Sequence, residues 1–446
     1  MNSAVAAVEA PVSASEALFA RARKVMPGGV SRNAVLRRPH PFYVARGEGC
    51  YVTDIEGVRR IDFSNNMTSQ IHGHAHPAIV AAVTEQLGKG TAFSLATEAE
   101  VVFAESMCSR SPAFEKIRFV NSGTEAVMSA LKAARAFTGR PKIAKVEGAY
   151  HGLYDYAEVS QTANPTNWGD AGHPASVPVA QGTPASALDD VVVIPFNDPE
   201  RAIHILDQHA DQLACVLLDL MPHRVGMAPA SAAFVRALHQ WTRKNGALFV
   251  CDEVITFRSG YGGAQEWYDV QPDLTAMGKM IGGGFPVGAL AGRADVMDVM
   301  DPWRAKVQFP LSGTYSANPV TMVAGLTAMQ LFDRPAVERL NRLADLARSR
   351  IAYAIEVAGV PACVAGAGSL FRIHMKPEVP QNYRAVYQTE AQARSLKVLL
   401  DHLAAHGILL IETGSGALST PMTEKEIDLL GEAMLAGFRR VKAQLV

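Results

Sequence analysis

Cysteine is scarce in this sequence of 446 residues, and its five cysteines form no motif. An odd number of scattered cysteines without a Cys-x-x-Cys pair argues against a disulfide framework. We expect reduced, mostly buried thiols, which are typical of a cytoplasmic protein. The cysteines are Cys50, Cys108, Cys215, Cys251 and Cys363.

An excess of one charge and long hydrophobic runs are also absent. The net charge is −1 at pH 7 and no basic stripe occurs, so we expect no nucleic-acid partner. No apolar stretch is long enough to span a membrane, so we expect no membrane association. The alanine-rich start, Met1 to Val12, has neither a basic segment nor a long apolar core, so it does not resemble a signal peptide.

Three alternating histidines, His72, His74 and His76, form the one pattern that suggests a metal site. They lie in a turn bounded by glycine and proline, with no carboxylate or cysteine close by in sequence. We therefore expect no metal there.

What the sequence does contain is a regular alternation of strand-like and helical segments. With 48% hydrophobic residues, the chain can bury a large core. The alternation predicts an α/β fold whose mostly parallel sheet is covered on both faces and binds ligands at the carboxyl ends of its strands. The predicted strands are Ile117 to Val120, Ile143 to Val146, Val191 to Ile194, Ala214 to Leu220, Ala247 to Cys251 and Gly288 to Ala291.

The two ends of the chain are predicted to form a smaller α+β domain. We interpret residues 1–75 as an N-terminal arm, residues 76–330 as the large sheet domain, and residues 331–446 as a C-terminal segment that packs with the arm. The C-terminal segment has helical periodicity. Its predicted helices are Ala336 to Ala358, Glu390 to His406 and Glu424 to Leu445.

One lysine stands in surroundings that favour covalent attachment of a cofactor. Lys279 precedes a run of glycines and follows the acidic pair Asp252-Glu253, which closes an apolar strand. A lysine that bonds to the aldehyde of pyridoxal phosphate must be a neutral amine, so desolvation and positive charge must lower its pKa. A carboxylate must keep the pyridine nitrogen protonated. Lys279 and Asp252 therefore predict a pyridoxal-phosphate site.

A third element agrees with this prediction. The strand that ends at Val120 is followed by Asn121-Ser122-Gly123-Thr124 and then by a helical pattern. A helix N-terminus offers unpaired N–H groups and partial positive charge, and the hydroxyls of Ser122 and Thr124 add donors, so the turn can hold a phosphate. The turn is neither a P-loop nor a Gly-x-Gly-x-x-Gly motif, which argues against ATP and dinucleotides.

These elements, in this order, resemble class III, fold-type I pyridoxal-phosphate aminotransferases, most closely the glutamate-1-semialdehyde 2,1-aminomutase branch. The resemblance runs from about Met26 to the C-terminus. It implies pyridoxal 5'-phosphate as cofactor, small-molecule amino donors and oxo-acid acceptors as substrates, and a homodimer. The matching segments include Met26-Pro27-Gly28-Gly29-Val30, Gly73-His74-Ala75-His76-Pro77, Glu147-Gly148-Ala149-Tyr150-His151-Gly152, Asp252-Glu253-Val254, Gly278-Lys279-Met280-Ile281-Gly282 and Ser312-Gly313-Thr314.

The resemblance also implies roles at the matching positions around the cofactor ring. Lys279 would form the Schiff base with the cofactor and carry a proton between the substrate and the C4' carbon. Asp252 would pair with the pyridine nitrogen. Val254 would pack on one ring face and Tyr150 on the other, with His151 close by.

The phosphate group has its own implied partners. By resemblance, Ser122, Gly123 and Thr124 hold the phosphate within one chain. Thr314 is similar to the threonine that completes this site from the neighbouring subunit, so the active site would be shared across the dimer.

Two arginines are candidates for binding a substrate carboxylate, because a guanidinium can hold a carboxylate by two hydrogen bonds. Arg32 resembles the carboxylate-binding arginine of β-amino-acid aminotransferases, although it can also be an exposed surface residue. Arg224 is the second candidate. The late loop from Glu412 to Ala417 lacks an arginine that some β-transaminases use for a second carboxylate.

Two departures from the family pattern bear on the reaction. Asp219 stands where the family has the glutamate of a Glu-Pro-x-x-Gly motif, and His223 and Arg224 follow it where small or amide residues are expected. The segment from Ser64 to Thr68 replaces an aromatic-bearing turn of the aminomutase. Both departures argue against aminomutase activity.

The sequence thus predicts a ping-pong aminotransferase. The favoured substrates are a carboxylate-bearing amino compound, such as a β-amino or D-aryl-amino acid, and an oxo acid. One alternative is glutamate-1-semialdehyde 2,1-aminomutase or a related pyridoxal-phosphate isomerase. Another is a non-catalytic pyridoxal-phosphate-binding protein, although the intact Lys279, Asp252 and phosphate turn argue against it.

Overall fold

The computed structural model describes residues 13–444. Met1 to Val12, for which we expect no signal peptide, lie outside these residues. Leu445, the last residue of a predicted helix, also lies outside them. Within the described part of the chain, no helix combines the length and the apolar character needed to cross a membrane.

Strands and helices alternate along the described residues. The strands are β1 (Val44–Glu48), β2 (Tyr51–Asp54), β3 (Arg59–Asp62), β4 (Lys116–Val120), β5 (Lys142–Val146), β6 (Gly169–Asp170), β7 (His173–Pro174), β8 (Val191–Ile194), β9 (Leu213–Asp219), β10 (Leu248–Asp252), β11 (Leu274–Gly278), β12 (Gly288–Gly292), β13 (Cys363–Ala365), β14 (Leu370–His374), β15 (Ile408–Leu409) and β16 (Ser415–Ala417). The helices are α1 (Ala14–Ala22), α2 (Asn65–Thr68), α3 (Pro77–Leu87), α4 (Glu98–Cys108), α5 (Gly123–Thr138), α6 (Asp155–Glu158), α7 (Ala185–Asp189), α8 (Pro199–Asp207), α9 (Ala232–Asn245), α10 (Ala294–Met297), α11 (Pro319–Leu331), α12 (Arg334–Ala358), α13 (Tyr383–Val386), α14 (Glu390–Ala405) and α15 (Glu424–Lys442). Short 3-10 turns add Pro27–Gly29, Asn33–Val35, His223–Val225, Thr256–Ser259, Ala264–Trp267, Lys279–Gly282 and Asp298–Met300.

The large sheet has seven strands in the order β4-β12-β11-β10-β9-β5-β8. Neighbouring strands are parallel except at β12, which runs antiparallel to both β4 and β11. Every residue of β9, β10 and β11 is buried, as expected for strands covered on both faces. The predicted α/β architecture with a mostly parallel sheet is confirmed.

Strand β11 is missing from the strands predicted from the sequence, and this omission is an error. Its large apolar residues are only Leu274 and Met277, so the apolar run is too weak to mark a strand. In the structure it lies at the centre of the sheet, parallel to β10 and antiparallel to β12. It ends at Gly278, directly before Lys279.

Strands from both ends of the chain share a second, smaller sheet. Its order is β1-β2-β3-β15, and β15 runs parallel to β3 with Ile408 opposite Ile61. A three-stranded sheet, β13-β14-β16, lies in the C-terminal segment. The limits of the predicted domains stay predictions, but the pairing of β3 with β15 joins the arm to the C-terminal segment.

Separate apolar clusters cover the two faces of the large sheet. Helix α5 contributes Val127 and Leu131 to one cluster, while α9 contributes Phe234 and Leu238 to the other. All five cysteines are free thiols, and three of them are buried. Most of the cysteines are therefore buried, as predicted, and their reduced state stays a prediction.

A lysine is buried on β5. The Nζ atom of Lys145 donates hydrogen bonds to the carbonyl oxygens of Ala149 at 2.9 Å and Val159 at 2.7 Å, and its side chain is inaccessible to solvent. Burial, assisted by the charge of Arg224, lowers the pKa of Lys145 to about 7, although Glu158 acts in the opposite direction. These two hydrogen bonds attach the amine to both ends of the segment from Ala149 to Val159, which follows β5.

The pH dependence of stability tests this burial. Because the pKa of Lys145 is about 7 in the folded state and about 10.4 in the unfolded state, the unfolded chain binds more protons between these values. Stability from this group therefore rises with pH across that window. We compare the melting temperature of the wild type with that of Lys145→Met. The wild-type value minus the variant value is expected to be larger at pH 9 than at pH 7.

Calorimetry of both proteins at the two pH values measures this difference. The matched control is Lys244→Met, because Lys244 is exposed on α9 and its replacement leaves the difference constant. A difference for Lys145→Met that is constant, or that falls as pH rises, contradicts the expected sign.

Candidate active site

A cavity of about 360 Å³ lies where the central strands of the large sheet end. Strands β4, β9, β10 and β11 all contribute their carboxyl ends or the residues that follow them. The cavity brings together most of the residues predicted to bind the cofactor. Those that line it are Ser122, Gly123, Thr124, Tyr150, His151, Asp252, Val254 and Lys279.

The turn between β4 and α5 has the form of an anion-binding site. The hydroxyl oxygen of Ser122 accepts a hydrogen bond from the backbone N–H of Glu125 at 3.1 Å, and Glu125 Oε2 accepts one from the N–H of Asn121 at 2.7 Å. The N–H groups of Gly123 and Thr124 belong to the first helical turn and have no intrahelical acceptor. They remain available for an anion, together with the positive end of the helix dipole.

Two glycines allow the turn to approach the end of β11. A Cβ on Gly123 would lie 2.7 Å from Cγ1 of Val254, and a Cβ on Gly278 would lie 3.3 Å from the backbone N of Gly123. No larger residue fits at Gly123 without displacing Val254. This approach places Lys279 beside the phosphate turn.

Lys279 begins a 3-10 turn with a left-handed φ of 52°, which is uncommon for a residue with a side chain. Backbone strain of this kind is typical of functional sites, where the surrounding structure maintains it. Burial lowers the pKa of Lys279, while the carboxylates of Asp252 and Asp219 act in the opposite direction. The lowered pKa favours the neutral amine, which is the nucleophilic form.

Asp252 is buried and hydrogen-bonded to a buried histidine. Its Oδ2 lies 2.7 Å from Nδ1 of His151, and its Oδ1 accepts a hydrogen bond from the N–H of Val254 at 3.0 Å. Burial lowers the pKa of His151, against the influence of Asp252. Among residues 13–444, Nε2 of His151 has no hydrogen-bond partner. The orphaned nitrogen, the oriented carboxylate, the neutral lysine and the anion-binding turn together fit pyridoxal phosphate.

A second carboxyl group, that of Asp219, lies beside Asp252. The two residues are register partners at the ends of β9 and β10. Burial, and then the charge of Asp252, raise the pKa of Asp219 well above its ordinary value. Its Oδ1 accepts a hydrogen bond from the N–H of Met221 at 2.9 Å. The surroundings of Asp219 under the cavity therefore favour its protonated form.

Thr314 lies outside this cavity. It is exposed, in the irregular segment before α11. Two residues further on, the hydroxyl oxygen of Ser316 accepts a hydrogen bond from the amide of Asn121 at 3.4 Å, so the segment passes the edge of the phosphate turn. Within a single chain, Thr314 does not contribute to the wall around the phosphate turn.

Arg32 lines a neighbouring cavity of about 370 Å³. Its Nη1 donates a hydrogen bond to Oδ1 of Asn66 at 2.7 Å, and Asn66 borders both cavities. Much of the second wall is apolar. The apolar residues are Ala34, Val35, Phe42, Val44, Val52, Met67, Leu409, Leu410 and Ile411.

Arg224 lies outside both cavities. It is half-buried in the 3-10 turn His223–Val225, and no hydrogen bond or ion pair to it occurs among the described residues. Its charge acts on the pKa of Lys145 and of Tyr150. Next to it, burial and the charge of Arg372 lower the pKa of His223 to about 3, so this histidine is neutral.

Several residues of the first cavity were not predicted from the sequence. Asn66 stands in an Asn-Asn pair. Asparagine tolerates the left-handed conformation, so this pair is a sequence signal that could have predicted the turn. Phe285, Pro286 and Val287 follow the glycine run without any chemical pattern, so only the fold reveals them. The unpredicted residues are Asn66, Ser69, Asn121, Val127, Gly152, Asp219, Ile255, Gly284, Phe285, Pro286 and Val287.

Fold and site together define a pyridoxal-phosphate enzyme of fold type I. The family model for class-III aminotransferases matches residues 33–425, and the chain belongs to that family. Pyridoxal phosphate is its cofactor, and the chain is a pyridoxal-phosphate-dependent transaminase or aminomutase.

Relatives of the chain include both kinds of enzyme. It is 38% identical over 370 residues to a glutamate-1-semialdehyde 2,1-aminomutase of Methanothermobacter thermautotrophicus, which covers 83% of this chain and 85% of the relative. The structure of an omega-transaminase from Sphaerobacter thermophilus is 46% identical in sequence, with a TM-score of 0.95. The match covers 97% of this chain and 98% of that transaminase. The structure of a beta-phenylalanine aminotransferase from Variovorax paradoxus is 32% identical in sequence, with a TM-score of 0.85. The match covers 95% of this chain and 93% of that aminotransferase.

The raised pKa of Asp219 leads to a prediction about stability. Because its pKa is raised in the folded state, the folded chain binds more protons than the unfolded chain above about pH 4. Stability from this group is present at low pH and is lost as pH rises through the folded pKa. Asp219→Asn keeps a neutral group of the same shape and removes this loss.

We therefore expect the melting temperature of Asp219→Asn apoenzyme minus that of wild-type apoenzyme to be larger at pH 8 than at pH 5. Asp211→Asn, at an exposed aspartate, serves as the control and shows no such change. A difference that stays constant between pH 5 and pH 8 would mean that Asp219 is already ionised in the folded protein at pH 5.

Proposed function

We propose that the chain transfers an amino group between a carboxylate-bearing amino compound, a β-amino or D-aryl-amino acid, and an oxo acid by ping-pong transamination. The observation that carries the proposal is the second cavity. It shares Asn66 with the cofactor cavity, has a wall that is about half apolar, and carries Arg32 together with Arg37. A chamber that combines apolar side chains with guanidinium groups suits a substrate that combines an aryl group with a carboxylate.

The reacting centre is proposed to contain Lys279, Asp252 and His151. When bound, pyridoxal phosphate supplies an electron sink for the carbon that bears the amino group. Lys279, as a neutral amine, takes the proton from that carbon and returns it during transfer. Asp252 holds a proton on the pyridine nitrogen, and the 2.7 Å hydrogen bond from His151 orients its carboxylate.

The remaining site residues are proposed to hold the cofactor in place. Ser122, Gly123 and Thr124 bind the phosphate through N–H and O–H groups at the start of α5. Tyr150 and Val254 pack on opposite faces of the ring. These contacts orient the bond that breaks and exclude water from it.

We also propose that the active unit is a homodimer in which Thr314 serves the phosphate site of the partner. Its exposure and its position outside the cavity of its own chain support this arrangement. Large apolar side chains are exposed on the same molecule, including Phe93 and Leu95, and a subunit interface would cover such side chains.

A second candidate function is the glutamate-1-semialdehyde 2,1-aminomutase reaction, because curated relatives carry that name. The two functions differ in their need for a second substrate. Conversion of glutamate-1-semialdehyde to 5-aminolevulinate without an added amino donor would favour the aminomutase. The apolar wall around Arg32 favours the transaminase.

Borohydride reduction tests the role of Lys279. We expect reduction of the holoenzyme to fix the cofactor mass on the peptide that contains Lys279, because it is the one lysine among residues 13–444 that lines the cavity. Lys279→Ala should lose the label and at least about 10³-fold in turnover, since it removes both the nucleophile and the proton carrier. Lys145→Met, at the other buried lysine, retains the label. Label on a different lysine rejects the assignment.

Arg32→Ala tests the substrate class. Loss of two charge-assisted hydrogen bonds should lower kcat/KM for carboxylate-bearing amines by roughly 30- to 1,000-fold, which corresponds to about 2–4 kcal/mol. Simple amines such as 1-phenylethylamine should be spared. Arg38→Ala provides the matched control, because Arg38 is exposed on the same arm but does not line this cavity.

Steady-state kinetics with both kinds of amine give the comparison. Equal losses for the two kinds would mean that Arg32 acts through structure alone. A selective loss in Arg224→Ala instead would transfer carboxylate binding to Arg224.

A further inference from the structure

Helix α2 is a left-handed turn. The φ angles of Asn65, Asn66, Met67 and Thr68 are 47°, 48°, 56° and 73°. Residues with a Cβ avoid this region, asparagine less than most, and runs of such residues are rare. A turn of this kind persists only where the surrounding structure maintains it, and it is typical of functional sites.

A buried arginine holds the end of the turn. The Nη1 atom of Arg258 donates a hydrogen bond to the carbonyl oxygen of Thr68 at 2.8 Å, and its Nε donates to the hydroxyl of Ser369 at 2.8 Å. Its Nη2 donates to the carbonyl of Leu418. Its partners in the structure are neutral, and its role is to fix this turn.

An aspartate holds the start of the turn. Asp62 Oδ1 accepts hydrogen bonds from the N–H groups of Ser64 at 3.0 Å and Asn65 at 2.9 Å, and its Oδ2 lies 2.9 Å from Nε2 of His74. The amide of Asn65 donates to the carbonyl oxygen of Ala417 at 2.6 Å. Both ends of the turn are therefore attached to the protein, and Asn66 has a defined position between them.

The amide of Asn66 also has a defined orientation. Its Oδ1 accepts the hydrogen bond from Arg32, and its Nδ2 donates to the hydroxyl of Ser69 at 3.1 Å. Because a guanidinium can only donate, the amide oxygen must face Arg32. Asn66 also borders both cavities. Lys279 lines the first of them and Arg32 lines the second.

We propose that Asn66 is a positioning residue that holds Arg32 for the substrate carboxylate, an inference that rests on the proposed role of Arg32. An exposed arginine without a partner samples many rotamers. Asn66 fixes one Nη atom and leaves the other N–H groups for a carboxylate. Because the partner is neutral, and no ion pair of Arg32 occurs among residues 13–444, Asn66 leaves the positive charge of Arg32 available for a carboxylate. An aspartate in this place would hold Arg32 as well but neutralise it.

Binding of two matched ligands to the holoenzyme tests the proposal by calorimetry. The probes are 3-phenylpropionate and its neutral amide, 3-phenylpropanamide. Asn66→Gly permits the left-handed backbone and removes the side chain. We expect this variant to bind the acid about tenfold more weakly, as for loss of a hydrogen bond to a charged group, and the amide unchanged.

Asn66→Asp is the opposing variant, because it keeps an acceptor and tolerates the same backbone. We expect it to weaken binding of the acid at least as much as Asn66→Gly, since the new carboxylate pairs with Arg32. Asn197→Gly is the matched control. Asn197 has a left-handed φ of 58° and borders neither cavity, so its replacement leaves both affinities unchanged.

The outcomes separate this inference from the proposed function. Equal weakening of acid and amide by Asn66→Gly, or unchanged acid binding in Asn66→Asp, overturns the positioning role. If Arg32→Ala selectively weakens binding of the acid and Asn66→Gly does not, Arg32 binds the carboxylate without being positioned by Asn66. If Arg32→Ala is not selective, or if the wild type binds acid no better than amide, both proposals are overturned. Should Asn66→Gly fail to fold or to retain cofactor, Asn66→Asp decides.

Discussion

The close approach of Gly278 to Gly123 is the constraint on which the active site depends. A Cβ at Gly278 would lie 3.3 Å from the backbone of Gly123, so the end of β11 and the start of α5 are nearly in contact. The lysine that follows one segment and the N–H groups that begin the other must then face the same small space. The antiparallel strand β12, which pairs with both β4 and β11, maintains this distance.

Charges around this space determine one another's protonation. Asp219 and Asp252 end adjacent strands, and burial together with the neighbouring charge of Asp252 raises the pKa of Asp219. Asp252 has instead His151 and a backbone N–H as partners. The same burial that raises the pKa of Asp219 lowers that of Lys279. Placing these three groups on neighbouring strand ends thus produces a nucleophilic amine and one oriented carboxylate.

The sequence was sufficient for those parts of the site that are local in the chain. The lysine before a glycine run, the acid closing a strand and the Ser-Gly-Thr turn each carry their chemistry within a few residues, and the structure brings them into one cavity. Strand β11 was missed because its apolar run is short. Asn66 and Phe285 were missed because their place in the wall depends on contacts with distant segments, which no local pattern encodes.

The hydrogen bond from Asn65 to Ala417 joins residues 352 positions apart, and the pairing of β15 with β3 joins the same two ends of the chain. During synthesis, the phosphate turn, β10 and the lysine emerge from the ribosome as one continuous stretch and can assemble early. The left-handed turn beside them gains its last partners only when the segment around Ala417 has been made, because the amide of Asn65 donates to the carbonyl oxygen of Ala417. The cofactor side of the site therefore matures before the side that selects the substrate, and the order of translation separates the two.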